Sequence, residues 1–330
     1  MKSRKMESIR CDNASHSKAS PLTRPWVVTA LASFCCLLWG SAAPGIKTGY
    51  ALLGLASPDI WSQILFAGCR FFLAGLLVLA IPAVGRQRVR PSRGAWKAIL
   101  LLSLCQTVLQ YFFYYIGLGR TSGVSACIIQ GTNVFLAILV SSLLFRLEAL
   151  TGRKILGCVL GFSGVVLVNL GNLNDPGASL LGEGLILLST LAYAFSSVLI
   201  RRFSQTMSPT LLSGWQFVLG GAVLMAAGFL NGGRLAGMSP AAGALVLYLA
   251  MVSAAAYTLW GLLLQVNDVS RVAVFGFVTP VCGVILSALV LPGEAQSLGL
   301  PAVGALILVC AGIAVVNRPE HPPLTASTHS

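Results

Sequence analysis

Arg70 is the first residue with evident chemical potential. It falls near the middle of an apolar run, residues 61–84. An unpaired charge at bilayer depth is costly, so its guanidinium must face protein or a cavity. It could contact the carboxylate of a bound solute, or it could tether helices by bonding carbonyls. No acidic residue lies at comparable depth in any apolar run, which slightly favours the tether.

Carboxamides and aromatics add to it. Gln106, Gln110 and Tyr114 recur at i, i+4 and i+8, so they share one helix face. That face must turn to a cavity or another helix, because lipid offers it no hydrogen bonds. Gln130, Asn133 and Ala137 form a second face. Two carboxamides can read a polar solute with donors and acceptors, or bond between helices. Ser253, Tyr257 and Trp260 form a third, while Trp215 and Gln216 sit one run earlier. An aromatic-lined pocket would take apolar or aromatic groups; core packing is the commoner fate of any single ring. Thr279-Pro280 lies within a run, where proline frees a carbonyl and acts as a gating hinge or a static kink. The candidate binding residues are thus Trp39, Arg70, Gln106, Gln110, Tyr114, Gln130, Asn133, Tyr193, Gln216, Tyr257 and Trp260, with Pro280 as the hinge.

Other chemistries lack their residues. His16, His321 and His329 lie near the termini, and Glu148 and Glu294 lie at run boundaries. A carboxylate relay and an intramembrane enzyme are therefore poorly supported. None of the nine Cys forms a C-x-x-C pair, and no P-loop is present. Neither metal nor cofactor is expected. Lys47, near the end of its run, is expected to snorkel to the interface.

These residues need elements to hold them. The chain has 330 residues, 56% hydrophobic and 9% charged, with mean hydropathy +0.84. Soluble domains carry about 25% charged residues, so this composition points to lipid. Ten apolar runs are visible: 26–50, 61–84, 96–118, 122–144, 155–171, 181–200, 210–230, 241–265, 272–291 and 298–316. Most suffice for a span of about 20 residues, and each must be helical to satisfy its own backbone. With ten spans, 18 of the 22 Lys and Arg fall on the side of the N-terminus. Only Arg120 and Arg234 fall on the other, while Lys47 and Arg70 lie within spans. By the positive-inside rule both termini are cytoplasmic. The net charge of +13 therefore reads as orientation, and nucleic acid has nothing else in its favour. The first run is too long for a signal peptide.

The chain also repeats. At an offset of 146 residues, Arg70-Phe71 meets Gln216-Phe217, Tyr111 meets Tyr257, and Glu148 meets Glu294. Near the start the offset becomes 154, where Trp39 meets Tyr193 and Lys47 meets Arg201. Gly164–Asn169 matches Gly312–Asn317 at the ends. Each copy holds five runs, an odd number, so the second enters the membrane inverted. The expected fold is an all-α integral membrane protein of ten transmembrane helices in two inverted five-helix repeats. Such repeats typify secondary transporters, with the site near midplane between them.

Leu38-Trp39-Gly40-Ser41, Arg70-Phe71-Phe72 with Ala74-Gly75, and Thr279-Pro280-Val281 followed by Gly293-Glu294 carry a family likeness. Over residues 27–317 the chain resembles the EamA family of the drug/metabolite transporter superfamily. The resemblance implies repeats at 26–172 and 178–317, between a basic disordered tail (1–25) and a cytoplasmic C-terminal tail (318–330). It implies alternating-access transport, often export, of small metabolites such as amino acids, in a cell or inner membrane. Its partners would be the bilayer and a small solute, with a homodimer left open. A nucleotide-sugar or phosphate-ester carrier is the alternative, though it should place several Lys or Arg at the cavity. The first copy departs from the pattern, with Val134 opposite Pro280 and Arg146-Leu147-Glu148 in place of a Gly-Glu pair.

Overall fold

The computed structural model describes residues 21–317 except 87–88, 147–148, 171–175, 205–206, 268–271 and 273. Glu148, Arg271 and most of both tails lie outside the described residues. Helices make up the architecture, with no strand among the described residues. In chain order they are α1 (Pro25–Gly40), α2 (Ala42–Leu53), α3 (Ile60–Val84), α4 (Trp96–Leu102), α5 (Gln110–Leu118), α6 (Gly123–Gln130), α7 (Asn133–Leu139), α8 (Gly152–Leu170), α9 (Pro176–Phe203), α10 (Pro209–Leu230), α11 (Pro240–Val266), α12 (Val278–Val290) and α13 (Leu300–Val316). Among the described residues, seven helical stretches are long and apolar enough to cross a bilayer, and two shorter apolar ones join them near the C-terminus. Val84, Phe229, Leu289 and Leu300 are among the large apolar side chains left exposed. In water such a surface would aggregate; in lipid it is the expected exterior.

Several spans are interrupted, each for a local reason. Pro44 has no N–H to give the Gly40 carbonyl, and the first span breaks there into α1 and α2. Gly40 lies so close to α12 that a Cβ would sit 2.9 Å from the Gly283 nitrogen. Between α4 and α5, Ser103–Leu109 widens into a π-helix, a form that often marks functional sites. The span of α6 and α7 breaks at Gly131–Thr132, where the Thr132 hydroxyl donates to the Ile129 carbonyl at 2.6 Å. A 3-10 turn, Val274–Phe277, precedes α12. Its junction with α12, Phe277–Val278, stands 146 residues after Gly131–Thr132, so both copies change helix form at one equivalent position.

Glycine sets how the copies meet. A Cβ on Gly75 would lie 2.5 Å from the Val218 nitrogen, and one on Gly221 would lie 2.3 Å from that of Phe72. Each contact is the other displaced by 146 residues, exchanged between α3 and α10. Gly68 against Met225 and Gly214 against Leu79 make a second reciprocal pair. α3 and α10 therefore cross antiparallel with backbones nearly touching, as small residues permit. α8 and α13 repeat the device: Gly164 meets the Ala305 carbonyl, and Gly312 meets that of Gly157. In both pairs the two equivalent helices run in opposite directions, related by a local pseudo-twofold axis.

Candidate functional site

Beside the α3–α10 seam the two copies meet again, through side chains. Phe71 and Phe217 are equivalent, and their rings lie 5.5 Å apart. Tyr111 and Tyr257 are equivalent, and their hydroxyls meet at 3.3 Å. The pseudo-axis passes between both pairs. Phe71 stacks on Tyr111 at 4.0 Å, and Phe217 meets Tyr257 edge-on at 5.0 Å. Trp39, at the C-terminal end of α1, touches Tyr257 at 5.5 Å and Trp260 at 5.1 Å. Tyr114 meets Tyr111 at 6.2 Å. Five helices, α1, α3, α5, α10 and α11, thus deliver one aromatic cluster at the interface of the copies.

Arg70 borders this cluster, with its guanidinium 4.9 Å from the Phe71 ring centre. It is fully buried. Nε donates to the Leu249 carbonyl at 3.2 Å, Nη1 to the Tyr115 hydroxyl at 3.1 Å and Nη2 to Ser253 Oγ at 3.0 Å. Tyr115 is itself fixed, since its carbonyl accepts from the Tyr50 hydroxyl at 2.8 Å. Every partner is neutral. The guanidinium therefore ties α3 to α5 and α11, and it keeps its full charge.

The carboxamides contrast with this. Gln216 is completely buried, and neither its Oε1 nor its Nε2 has a hydrogen-bond partner among the described residues. Gln106 Oε1, Gln110 Oε1, Thr107 Oγ1 and Trp39 Nε1 are in the same condition. Leaving such a group unmet costs about 1–3 kcal/mol. The carboxamides and Thr107 belong to neighbouring stretches of α5, the widened segment and α10. Thr107 packs against Gly220, one turn from Gln216; Gln106 precedes Thr107 on the widened segment and Gln110 opens α5 just after it. Apolar packing alone gives no account of so many; a bound polar solute or water would.

Gln130 and Asn133 stand on either side of the Gly131–Thr132 break, both half-buried. Tyr193 is half-buried on α9. No ring contact or hydrogen bond joins these three to the aromatic cluster among the described residues. Pro280 falls in the first turn of α12, with its Cβ beside the Gly131 position. It stands where the 3-10 turn gives way to α-helix and not in the middle of a continuous helix.

Lys47 was expected to reach the interface, and it turns inward instead. Its Nζ bonds Glu294 Oε1 at 2.8 Å and the Thr121 carbonyl at 2.7 Å. Glu294 lies in a turn at a run boundary, as its place in the sequence indicates, yet only 8% of its surface is accessible. Tyr111, Tyr115, Phe71 and Phe217 are not among the sequence candidates, although Tyr111 is the repeat equivalent of the candidate Tyr257. The repeat could have flagged Phe71 and Phe217, because they stand beside the equivalent pair Arg70 and Gln216.

The EamA-like transporter family model matches the chain twice, at residues 26–170 and 180–318. This chain belongs to the EamA-like transporter family. It is a multi-pass membrane protein and a membrane transporter. The EamA-like relatives agree. YvbV of Bacillus subtilis, an uncharacterised transporter, is 25% identical over 91% of this chain and 93% of its own. The uncharacterised transporter sll0355 of Synechocystis is 30% identical over 82% of this chain and 84% of its own. YedA of Escherichia coli, an uncharacterised inner membrane transporter, is 27% identical over 76% and 78%. One crystal structure superposes with a TM-score of 0.60 at 19% identity, covering 86% of this chain and 96% of that one. That likeness concerns the fold.

Proposed function

We propose that this transporter carries small metabolites such as amino acids, outward across the plasma or inner membrane, by alternating access. Ten helices would cross the bilayer as two inverted units, 26–172 and 178–317, with both termini cytoplasmic. One observation carries the reading: unpartnered buried carboxamides stand beside the point where equivalent aromatics of the two copies touch. Transporters of this architecture hold solute near the midplane between repeats. Trp39, Tyr111, Tyr114, Tyr257 and Trp260 would clasp an apolar side group, and Gln106, Gln110 and Gln216 would bond its polar end. Tyr193, within electrostatic reach of Tyr111 and Tyr257, would border the site; Gln130 and Asn133, away from the cluster, would line the path, and Pro280 would hinge it. Phosphate esters suit the site less well, because Lys47 is engaged by Glu294.

The test is flux in proteoliposomes. Labelled neutral, aromatic and acidic amino acids are screened with and without a pH gradient. Saturable uptake of one class, lowered by Gln216→Ala, supports the reading. Absence of flux for all of them in folded protein sinks the amino-acid assignment.

A further inference from the structure

One partly buried ion pair takes no part in the cluster. Glu294 lies in the short turn between α12 and α13. Its Oε1 accepts from Lys47 Nζ at 2.8 Å and from the Gly123 amide at 2.8 Å, and its Oε2 accepts from the Val124 amide at 3.2 Å. Those amides open α6, where the helix dipole also favours a carboxylate. Lys47 completes the ring by donating to the Thr121 carbonyl. Two charges thus bind three parts of the chain, namely α2, the start of α6 and the α12–α13 turn. All three lie at the end of the bundle opposite Pro25. Beneath the pair, Cys127 is buried one turn further along α6, with Sγ 3.9 Å from Ser287 Oγ.

We propose that Lys47 and Glu294 form the latch of this end of the bundle: the pair is made when the end is shut and broken when it opens. The proposal rests on the alternating-access reading, which requires each end to open in turn. The arrangement suits a reversible closure. The three parts come from both copies, since Lys47 and Gly123 belong to the first and Glu294 to the second. Breaking the pair removes the charged link between them and leaves the packing of Gly123 on Ser287 and Leu291 and the amide bonds to Glu294 to hold this end. A static weld here would be better served by close-packed apolar groups, because buried ion pairs add little net stability. The same copies are welded in that way at Gly75–Val218 and Gly221–Phe72.

Cys127 is the reporter, and it needs no knowledge of the solute. Purified protein in detergent is treated with a hydrophilic maleimide, and labelling is followed at each cysteine by peptide mass mapping. Glu294→Gln keeps an oxygen acceptor for the α6 amides and removes the charge; Lys47→Met removes the other partner. Cys127 labelling should rise about tenfold in both, the change that ~1.4 kcal/mol of lost closing energy gives. Buried Cys35 and Cys158, remote from the pair, should label as slowly as in the wild type. Unchanged Cys127 labelling overturns the latch. A parallel rise at all three cysteines also overturns it, because the pair would then be a general stabiliser. If neither variant inserts, hydrogen exchange of the wild-type protein decides. Opening of 121–127 and 291–299 as one unit supports the latch, and independent opening overturns it. A latch confirmed in protein without amino-acid flux would leave the closure standing and the solute to be found.

Discussion

The seam of α3 with α10 and the cluster beside it use the same two helices under opposite rules. The seam is built from absences: Gly68, Gly75 and Gly221 let backbones touch, Gly214 makes room for the Leu79 side chain, and a Cβ at any of them would crowd its neighbour. The cluster is built from large rings and from carboxamides without partners. The seam has one arrangement and no spare bonding capacity. The cluster has capacity unused, and polar groups are held in that state only where something else is to meet them. Adjacent residues enforce the division, with Arg70, Phe71, Gln216 and Phe217 on the cluster side.

The sharpest way to break this comparison is to overfill the seam. Gly221→Leu drives a side chain into the backbone of Phe72, which cannot move as a side-chain tip can. Overpacking commonly costs about 1–3 kcal/mol, and a backbone collision belongs at or above the top of that range. Little or no monodisperse protein should be recovered after detergent extraction. Gly94→Ala, with open space around its position, should be recovered like the wild type. Normal recovery of Gly221→Leu would mean the seam is looser than its geometry indicates.

Arg70 tests which side of the division it serves. Its three donors reach neutral oxygens on α5 and α11. Arg70→Met removes them and should lower thermal stability by about 2 kcal/mol, within the range for a charged hydrogen bond. Arg70→Lys should recover part of that loss. If Arg70→Met were as stable as the wild type and inactive, the guanidinium would belong to the solute and not to the fold.

Much of this frame was legible in the sequence because it rests on periodic apolarity and on repetition. The offset of 146 residues pairs Tyr111 with Tyr257, and the fold sets their hydroxyls in contact. Twofold symmetry explains that result: residues near the axis meet their own equivalents. Lys47 and Glu294 were not legible as partners. They stand 247 residues apart, and each lies near a run boundary, where hydration is the default expectation. Depth along a run says nothing about which neighbour covers a helix end. The widened turn at Ser103–Leu109 was equally hidden, since no Pro or Gly marks it. Gln106 and Gln110 are both buried, each with an Oε1 lacking a partner among the described residues, whichever form the helix takes between them.

Gln216 should separate stability from function. Gln216→Leu replaces two unpartnered polar atoms with apolar ones of similar size. A melting assay should show a gain of about 1 kcal/mol, because the desolvation penalty disappears. Transport of whichever solute is found should fall in the same variant. Gain with loss is the signature of a site kept unsatisfied for a ligand. A destabilised Gln216→Leu would show that the carboxamide already has partners, and the cluster would then be ordinary core.

The smallest effect belongs to the tyrosine pair on the axis. At 3.3 Å the contact is long for one between hydroxyls, so Tyr257→Phe should cost under about 1 kcal/mol. Its value lies in symmetry. Tyr111→Phe removes the equivalent hydroxyl and should cost about the same. Each single variant leaves the other hydroxyl without its partner, whereas the double variant leaves neither. The double should therefore be no less stable than the worse single, a clear departure from additivity. Additive costs would mean that each hydroxyl bonds something else, and that the axis of the two copies does not run through this contact.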